Sequence, residues 1–239
     1  MKTSLTSKKI GSTRTVIISL GGSLIVPDKI DISFLQQFKA LLEKHLATED
    51  IRFVVVCGGG KPAREYQEAA RKLGVPSSAD LDWVGIMATR LNAELVRTMF
   101  GELAHSTVVI DPHQPINSLK KVIVAAGYQP GHSTDMDAVL LAQQLRAGLV
   151  VNLSNIDYVY DKNPAQFKDA KRFEAMSWKE LRAIVGDAWK PGMNVPFDPV
   201  AAREAEKAKL KVIVANGKDI ANLGLILSGK KFKGTMVNG

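Results

Sequence analysis

The chain is poor in the residues that specialised binding and disulfide-stapled folds require. It has one cysteine, Cys57, in 239 residues, so no intramolecular disulfide framework can hold it together. A lone thiol suits a reducing compartment, and a cytoplasmic location is the expectation. Cys57 closes the apolar run V-V-V-C, where packing is its expected role. Aromatic residues amount to 6%, too few for the stacking platforms that grip single-stranded nucleic acid. The net charge of +8 favours anionic partners, yet lysine and arginine are dispersed and form no basic run or recognisable nucleic-acid module. Nucleic acid is therefore not expected as a partner, and small phosphorylated ligands explain the charge equally well. No apolar stretch is long enough to span a bilayer, so no membrane partner is expected. Met1–Thr15 is polar and basic, without the apolar core of a secretory signal, and reads as a loose tail over residues 1–15. Internal repeats and low-complexity segments are absent. So are a G-x-G-x-x-G at the first β–α turn and a Walker-type G-x-x-x-x-G-K-[ST].

The remainder reads as a soluble α/β protein, 46% hydrophobic and 23% charged. Strand-like runs at Val16–Leu20, Phe53–Cys57, Thr107–Ile110, Val122–Ala125, Leu149–Leu153 and Lys211–Val214 are interleaved with helix-like segments. Helices are expected over Asp31–Leu46 with Asp31 as cap, Pro62–Leu73, Leu81–Phe100, Thr134–Ala147, Trp178–Val185, Pro199–Ala208 and Ile220–Leu227. A hairpin around Tyr158–Asn163, a Pro/Gly-rich loop at Lys190–Pro196 and a closing edge strand at Gly234–Val237 complete the reading. This alternation predicts an open, mainly parallel sheet covered on both faces, an αβα sandwich. Residues 16–239 read as one domain whose halves, 16–150 and 151–239, meet near residue 150.

Ligands of such sheets sit at the carboxyl ends of the strands, and three glycine clusters fall there: Gly21-Gly22, Gly58–Gly60 and the loop 127–134. The second is the most informative. A β-branched run ends in three glycines that permit a sharp turn and close ligand approach. A helix follows, with Lys61 and Arg64 beside its free N–H groups, which together suit a phosphate. A tight β–α turn with solvated basic residues is the alternative.

Six segments in register resemble the amino acid kinase family, and within it the archaeal-type branch of the uridylate (UMP) kinases. They are S-L-G-G-S-L at 19–24, C-G-G-G-K-P-A-R at 57–64, L-D-W-V-G-I-M-A-T-R-L-N-A at 81–93, G-Y-Q-P-G-H-S-T-D at 127–135, S-N-I-D-Y-V-Y-D-K-N-P at 154–164 and F-D-P-V-A-A at 197–202. The resemblance implies phosphoryl transfer from ATP, with Mg2+, to UMP, and a hexameric homo-oligomer. It makes 16–150 the acceptor half and 151–239 the ATP half. On the acceptor side it implies that Gly59 and Arg64 hold phosphate oxygens and that Asp82 binds ribose hydroxyls. Tyr128, Gln129, Pro130, Gly131, His132, Ser133 and Thr134 would wrap the nucleotide. On the donor side it implies Ser19, Gly21, Gly22, Gly60, Ser154, Asn155, Tyr160 and Asn163. Arg64, Asp135, Asp198 and Lys61 are the implied catalytic residues, and no residue is assigned as a metal ligand. Simpler roles stand beside these: a first-turn acid for Asp82, helix-dipole stabilisation for Asp135, packing for Tyr160, a helix cap for Asp198.

The chain departs from the family pattern at four places. Ser19 stands where bacterial-type members carry a lysine, and Val195-Pro196-Phe197 replaces a second lysine before the late acid. Lys61, Arg64, Lys162 and Lys190 are the candidates for the cation that serves the transition state. Tyr158 and Asn163 stand where glycine and aspartate are usual, so the turn at Tyr158 must adopt a geometry without a positive φ or carry strain. A weakly catalytic nucleotide- or oxyanion-binding oligomer of the same fold, or a kinase with another phosphate or carboxylate acceptor, stays open as an alternative.

Overall fold

The computed structural model describes residues 13–188 and 195–239. Its main sheet has seven strands in the order β3-β2-β1-β4-β8-β9-β7. These are β1 Arg14–Leu20, β2 Ile51–Cys57, β3 Val122–Ala125, β4 Leu149–Ser154, β7 Ala175–Ser177, β8 Lys211–Asn216 and β9 Thr235–Asn238. Every pairing is parallel except β8 with β9. A separate two-stranded ribbon pairs β5 Val159–Tyr160 with β6 Arg172–Phe173. The helices are α1 Gly22–Ile25, α2 Ile32–Thr48, α3 Gly60–Lys72, α4 Ser78–Phe100, α5 Thr134–Gln144, α6 Trp178–Val185, α7 Pro199–Lys207 and α8 Ile220–Leu227.

Side-chain alternation along the strands creates the layers. Val16, Ile18 and Leu20 of β1 share a core with Phe38 and Leu42 of α2, Val96 and Phe100 of α4, and Leu223 and Ile226 of α8. Ile17, with Val54 and Val56 of β2, packs instead with Ala138 and Leu141 of α5, Trp178 and Leu181 of α6, and Ala201 and Ala205 of α7. Two apolar faces make continuous apolar strands, and the αβα sandwich follows. Side-chain caps set the starts of α2 and α4 to α8, each stabilising by about 1 kcal/mol, while α1 and α3 begin after glycines without one. Asp31 accepts from Phe34 N–H at 2.9 Å as anticipated, Asp219 caps α8, and Ser177 with Glu180 forms a reciprocal capping box at α6.

Several expectations need correction. β1 starts at Arg14, inside the expected tail, and the Arg14 guanidinium donates to Leu227 O at 2.7 Å; residues 1–12 of that tail lie outside the described residues. α3 starts at Gly60 rather than Pro62, and Gly60 itself takes φ 66°, a left-handed turn into the helix that glycine permits. α4 starts at Ser78 under a Ser77 cap, three residues before the first apolar signal. Thr107–Ile110 forms no strand. Only Val109 bridges to Ala125, donating to Val124 O and accepting from Ala126 N–H. The strand near the C-terminus is interior: β9 lies between β8 and the short edge strand β7. The hairpin is wider than Tyr158–Asn163, since Tyr160 pairs with Arg172 across an intervening loop. Tyr158 has no positive φ, so this turn adopts another geometry, with the Arg172 guanidinium 4.7 Å above the Tyr158 ring. Most of the loop expected at Lys190–Pro196 lies outside the described residues.

The strand order places the site. The chain winds from β1 through β2 to β3 in one direction, then from β4 to β8 in the other. A crevice opens outside the carboxyl ends of β1 and β4, where the winding reverses. The division near residue 150 falls at β4, in the middle of one continuous sheet.

Candidate active site

One cavity of about 620 Å³ occupies that crevice. Its wall gathers Ser19, Gly21 and Gly22 from the end of β1, Gly58–Gly60 and Arg64 from the second turn, and Asp82 from α4. Gly127 and His132–Asp135 come from the loop before α5, and Asn152, Ser154 and Asn155 from the end of β4. Five of the six sequence segments thus meet at one place, and Val195 and Pro196, just before the sixth, join them.

The glycine loops touch each other backbone to backbone. A Cβ on Gly22 would lie 2.0 Å from Gly60 N and 2.5 Å from Gly58 C, and one on Gly21 would lie 2.7 Å from Leu153 O. Glycine is required there by loop packing as well as by ligand approach. The turn is pinned from behind by Asn92, a buried residue of α4 whose amide donates to Gly58 O at 2.8 Å and Gly59 O at 3.1 Å. Thr89, one turn earlier, accepts from Gly127 N–H at 2.8 Å while donating to Ile86 O. Both lie inside the 81–93 segment, from which the sequence pointed only to Asp82; a polar residue at each core-facing helical position was the available signal.

The helices α3 and α5 point their N-termini at the cavity, with Gly60 and Thr134 both on its wall, and such ends attract anions. Ser133 caps α5 by accepting from Met136 N–H at 3.2 Å, which leaves its hydroxyl proton free for a ligand. Among the described residues Arg64 is the one lysine or arginine on the cavity wall, and it pairs with no described acid. Two of the other candidate cations are placed elsewhere. Lys61 turns to Asp28 and Glu65, and Lys162 pairs with Asp169 at 2.6 Å. Lys190 lies outside the described residues.

Asp135 forms the floor of the site. Its Oδ1 accepts from Ser19 Oγ and Asn152 Nδ2, each at 3.0 Å, and its Oδ2 accepts from Asp198 N–H at 3.2 Å. All three donors are neutral. Burial therefore dominates and pushes the carboxyl up to about 6, with nearby Asp198 adding to the rise and the hydrogen bonds opposing it. Phe197 explains the second departure, since it is fully buried beside Trp178 with ring centroids 6.3 Å apart.

Asp198 lies behind the wall. Its Oδ1 caps α7, accepting from Val200 N–H at 2.6 Å and Ala201 N–H at 2.8 Å. Asp82 is on the wall, and its Oδ2 accepts from Gly131 N–H at 2.9 Å, tying the acceptor loop to α4. Arg90 reinforces that tie by donating to Tyr128 O at 3.2 Å. Tyr128, Gln129, Pro130 and Gly131 form the outer arc of this loop and are not on the cavity wall. Neither are Tyr160, which sits in the β5–β6 ribbon, and Asn163, whose Oδ1 accepts from Ala165 N–H within its own turn.

The comparisons with known proteins agree with this geometry. The model of the amino acid kinase family matches residues 14–216. A uridylate kinase of Pyrococcus abyssi is 37% identical over 225 residues, covering 93% of this chain and 98% of its own length. That of Methanocaldococcus jannaschii is 38% identical over 205 residues, covering 84% and 90% respectively. The crystal structure of uridylate kinase from Archaeoglobus fulgidus superposes with a TM-score of 0.80 at 34% identity, covering 93% of this chain and 99% of that one.

Proposed function

This chain belongs to the amino acid kinase family, and from that premise we propose that it is a UMP kinase, transferring the γ-phosphoryl group of ATP to UMP to give ADP and UDP. The observation that carries the reading is the single cavity at the winding reversal, where two glycine turns and two helix N-termini meet beside Arg64. Phosphoryl transfer needs little covalent help from the protein; positioning and charge neutralisation do most of the work.

In this reading the acceptor lies on the β2–β3 side. Gly59 and Arg64 would take its phosphate, Arg64 by a two-pronged guanidinium contact. Asp82 would reach the ribose while holding Gly131, and Ser133 and Thr134 would offer hydroxyls. The donor lies on the β1–β4 side, along Gly21, Gly22, Ser154 and Asn155. Asp135 would orient the reacting groups from the floor. Among the described residues no three His, Cys, Asp or Glu converge on a metal position. A magnesium ion carried by the ATP phosphates would supply charge neutralisation to the group being transferred. We further propose a homo-oligomer, a hexamer by family pattern, in the cytoplasm. Trp83, Met87 and Leu91 form an exposed apolar stripe along α4, which supports association between copies. Among the described residues no helix is long and apolar enough to cross a membrane.

A coupled ADP-release assay over a panel of acceptors tests the proposal. UMP should be turned over fastest; faster turnover of a non-nucleotide phosphate or a carboxylate would overturn it, and nucleotide binding without turnover would favour a binding protein instead. Arg64→Ala should raise the KM for UMP about tenfold or more, the worth of a charged hydrogen bond, and an unchanged KM would remove Arg64 from the site.

A further inference from the structure

Asp137 lies in the first turn of α5 and is 1% exposed. Its Oδ2 accepts from Tyr128 N–H at 3.1 Å. Its Oδ1 is buried with no hydrogen-bond partner, and so is the Nδ1 of His132. These two orphaned atoms face each other at 3.7 Å, within ion-pair range but beyond a hydrogen bond. A buried carboxylate oxygen left in this state is costly, and a movement of about 1 Å in the loop would convert the gap into a short charge-assisted bond.

The loop is anchored on both sides of His132. It is held at Gly127 by Thr89 and at Gly131 by Asp82, while His132 lies between the second anchor and the Ser133 cap. Nδ1 faces Asp137, and the opposite ring nitrogen, Nε2, lies 3.3 Å from Gln129 Nε2, an amide donor that must give way before a protonated ring can donate there. His132 itself is on the cavity wall. We propose that Asp137 is a positioning residue for the acceptor: it draws His132 onto itself and holds the far nitrogen of the imidazolium toward the phosphate of the bound nucleotide. The inference rests on the UMP kinase reading of the site.

The charge balance supports it. Ser19 and Val195–Phe197 supply no cation, and among the described residues Arg64 is the one guanidinium or ammonium on the wall. A protonated His132 adds a second positive group where a phosphate dianion must be held. The Asp137 carboxylate holds the imidazole above its ordinary value, against burial and with a smaller contribution from Asp198. Burial in turn raises Asp137, opposed by His132 and Tyr128 N–H. Around this pair, Asp82 and Arg90 of α4 bind the loop backbone, and His113 packs on Tyr128, whose ring meets His132 edge-on.

Asp137→Asn keeps the shape and an acceptor for Tyr128 N–H but removes the charge. In NMR titrations of the full chain, His132 should titrate above 6.5 in the parent, and its midpoint in the variant should fall, because the carboxylate that raises it is gone. In steady-state kinetics the variant-to-parent ratio of kcat/KM for UMP should be nearest one at low pH and should decline as pH rises through the His132 titration, where the two proteins differ in imidazolium population. His132→Gln should abolish this pH-dependent part of the profile. An unchanged His132 titration in Asp137→Asn, or a kinetic ratio constant with pH, would overturn the proposal. The resonance titration needs no turnover, so failure of the UMP kinase reading would show separately, as an inactive parent.

Discussion

Replacing Asp135 by asparagine isolates the energetic cost of the site floor. In the folded protein the carboxyl titrates at about 6 against a reference of 3.8, so the native state binds its proton more tightly than the unfolded chain does. Folding is therefore favoured by this group below pH 3.8, and that contribution is lost as pH rises through about 6. The difference corresponds to about 3 kcal/mol at full ionisation, an upper bound because Asp135 lines an open cavity and is only partly buried. Asparagine cannot ionise. It introduces a pH-independent penalty instead, since its NH₂ must face either Asp198 N–H or the Ser19 and Asn152 donors. The informative quantity is thus the change with pH in the stability difference between variant and parent, not the difference at any one pH. Urea unfolding at fixed protein concentration, followed by circular dichroism, should show that the variant gains on the parent by about 2 kcal/mol from about pH 4 to about pH 8, with little further change above about pH 7. Phosphoryl transfer should be lost in the same variant. A stability difference that stays flat over this range would mean that Asp135 ionises as easily in the fold as in the unfolded chain, and that the missing cations have no effect on its proton.

Other perturbations address single contacts. Gly22→Ala should destabilise by about 3 kcal/mol, because its Cβ would drive apart the two glycine turns; a parent-like unfolding midpoint would contradict the backbone-to-backbone packing. Asn92→Leu removes the amide donor of the buried Gly58 carbonyl and one of the two donors of the Gly59 carbonyl and should cost about 2 kcal/mol, with a raised KM for UMP as the second readout. Tyr160→Phe should leave the KM for ATP unchanged, since this side chain is not on the cavity wall; a several-fold rise would return it to the donor site. A double change of Trp83 and Leu91 to glutamate should reduce the oligomer to smaller species in sedimentation velocity, and an unaltered distribution would move the interface off α4.

The legible parts of this protein were those in which local pattern and long-range structure ask for the same residue. The central strands are apolar along their whole length because both faces are covered, so β1, β2 and β4 could be read within two residues. The glycine clusters were legible for the same reason: the steric demand of turn and ligand is written into the chain as absent side chains. The expected strand at Thr107–Ile110 and the edge position given to β9 failed because neighbours in the sheet are set by tertiary pairing, which leaves no periodic trace in a four-residue run. The site failed in a more instructive way. Lys61 and Arg64 are three residues apart on α3 and neighbours on its surface, yet Asp28, from a distant turn, removes Lys61 from the cavity side. Absence of the family lysines was plain from Ser19 and Phe197, but its consequence was not. Among the described residues no lysine or arginine bonds Asp135; its donors are neutral, and its proton affinity rises into the range where the enzyme would work. The same scarcity gives His132 and Asp137 their significance, since a described wall with one guanidinium would gain positive charge from its rim.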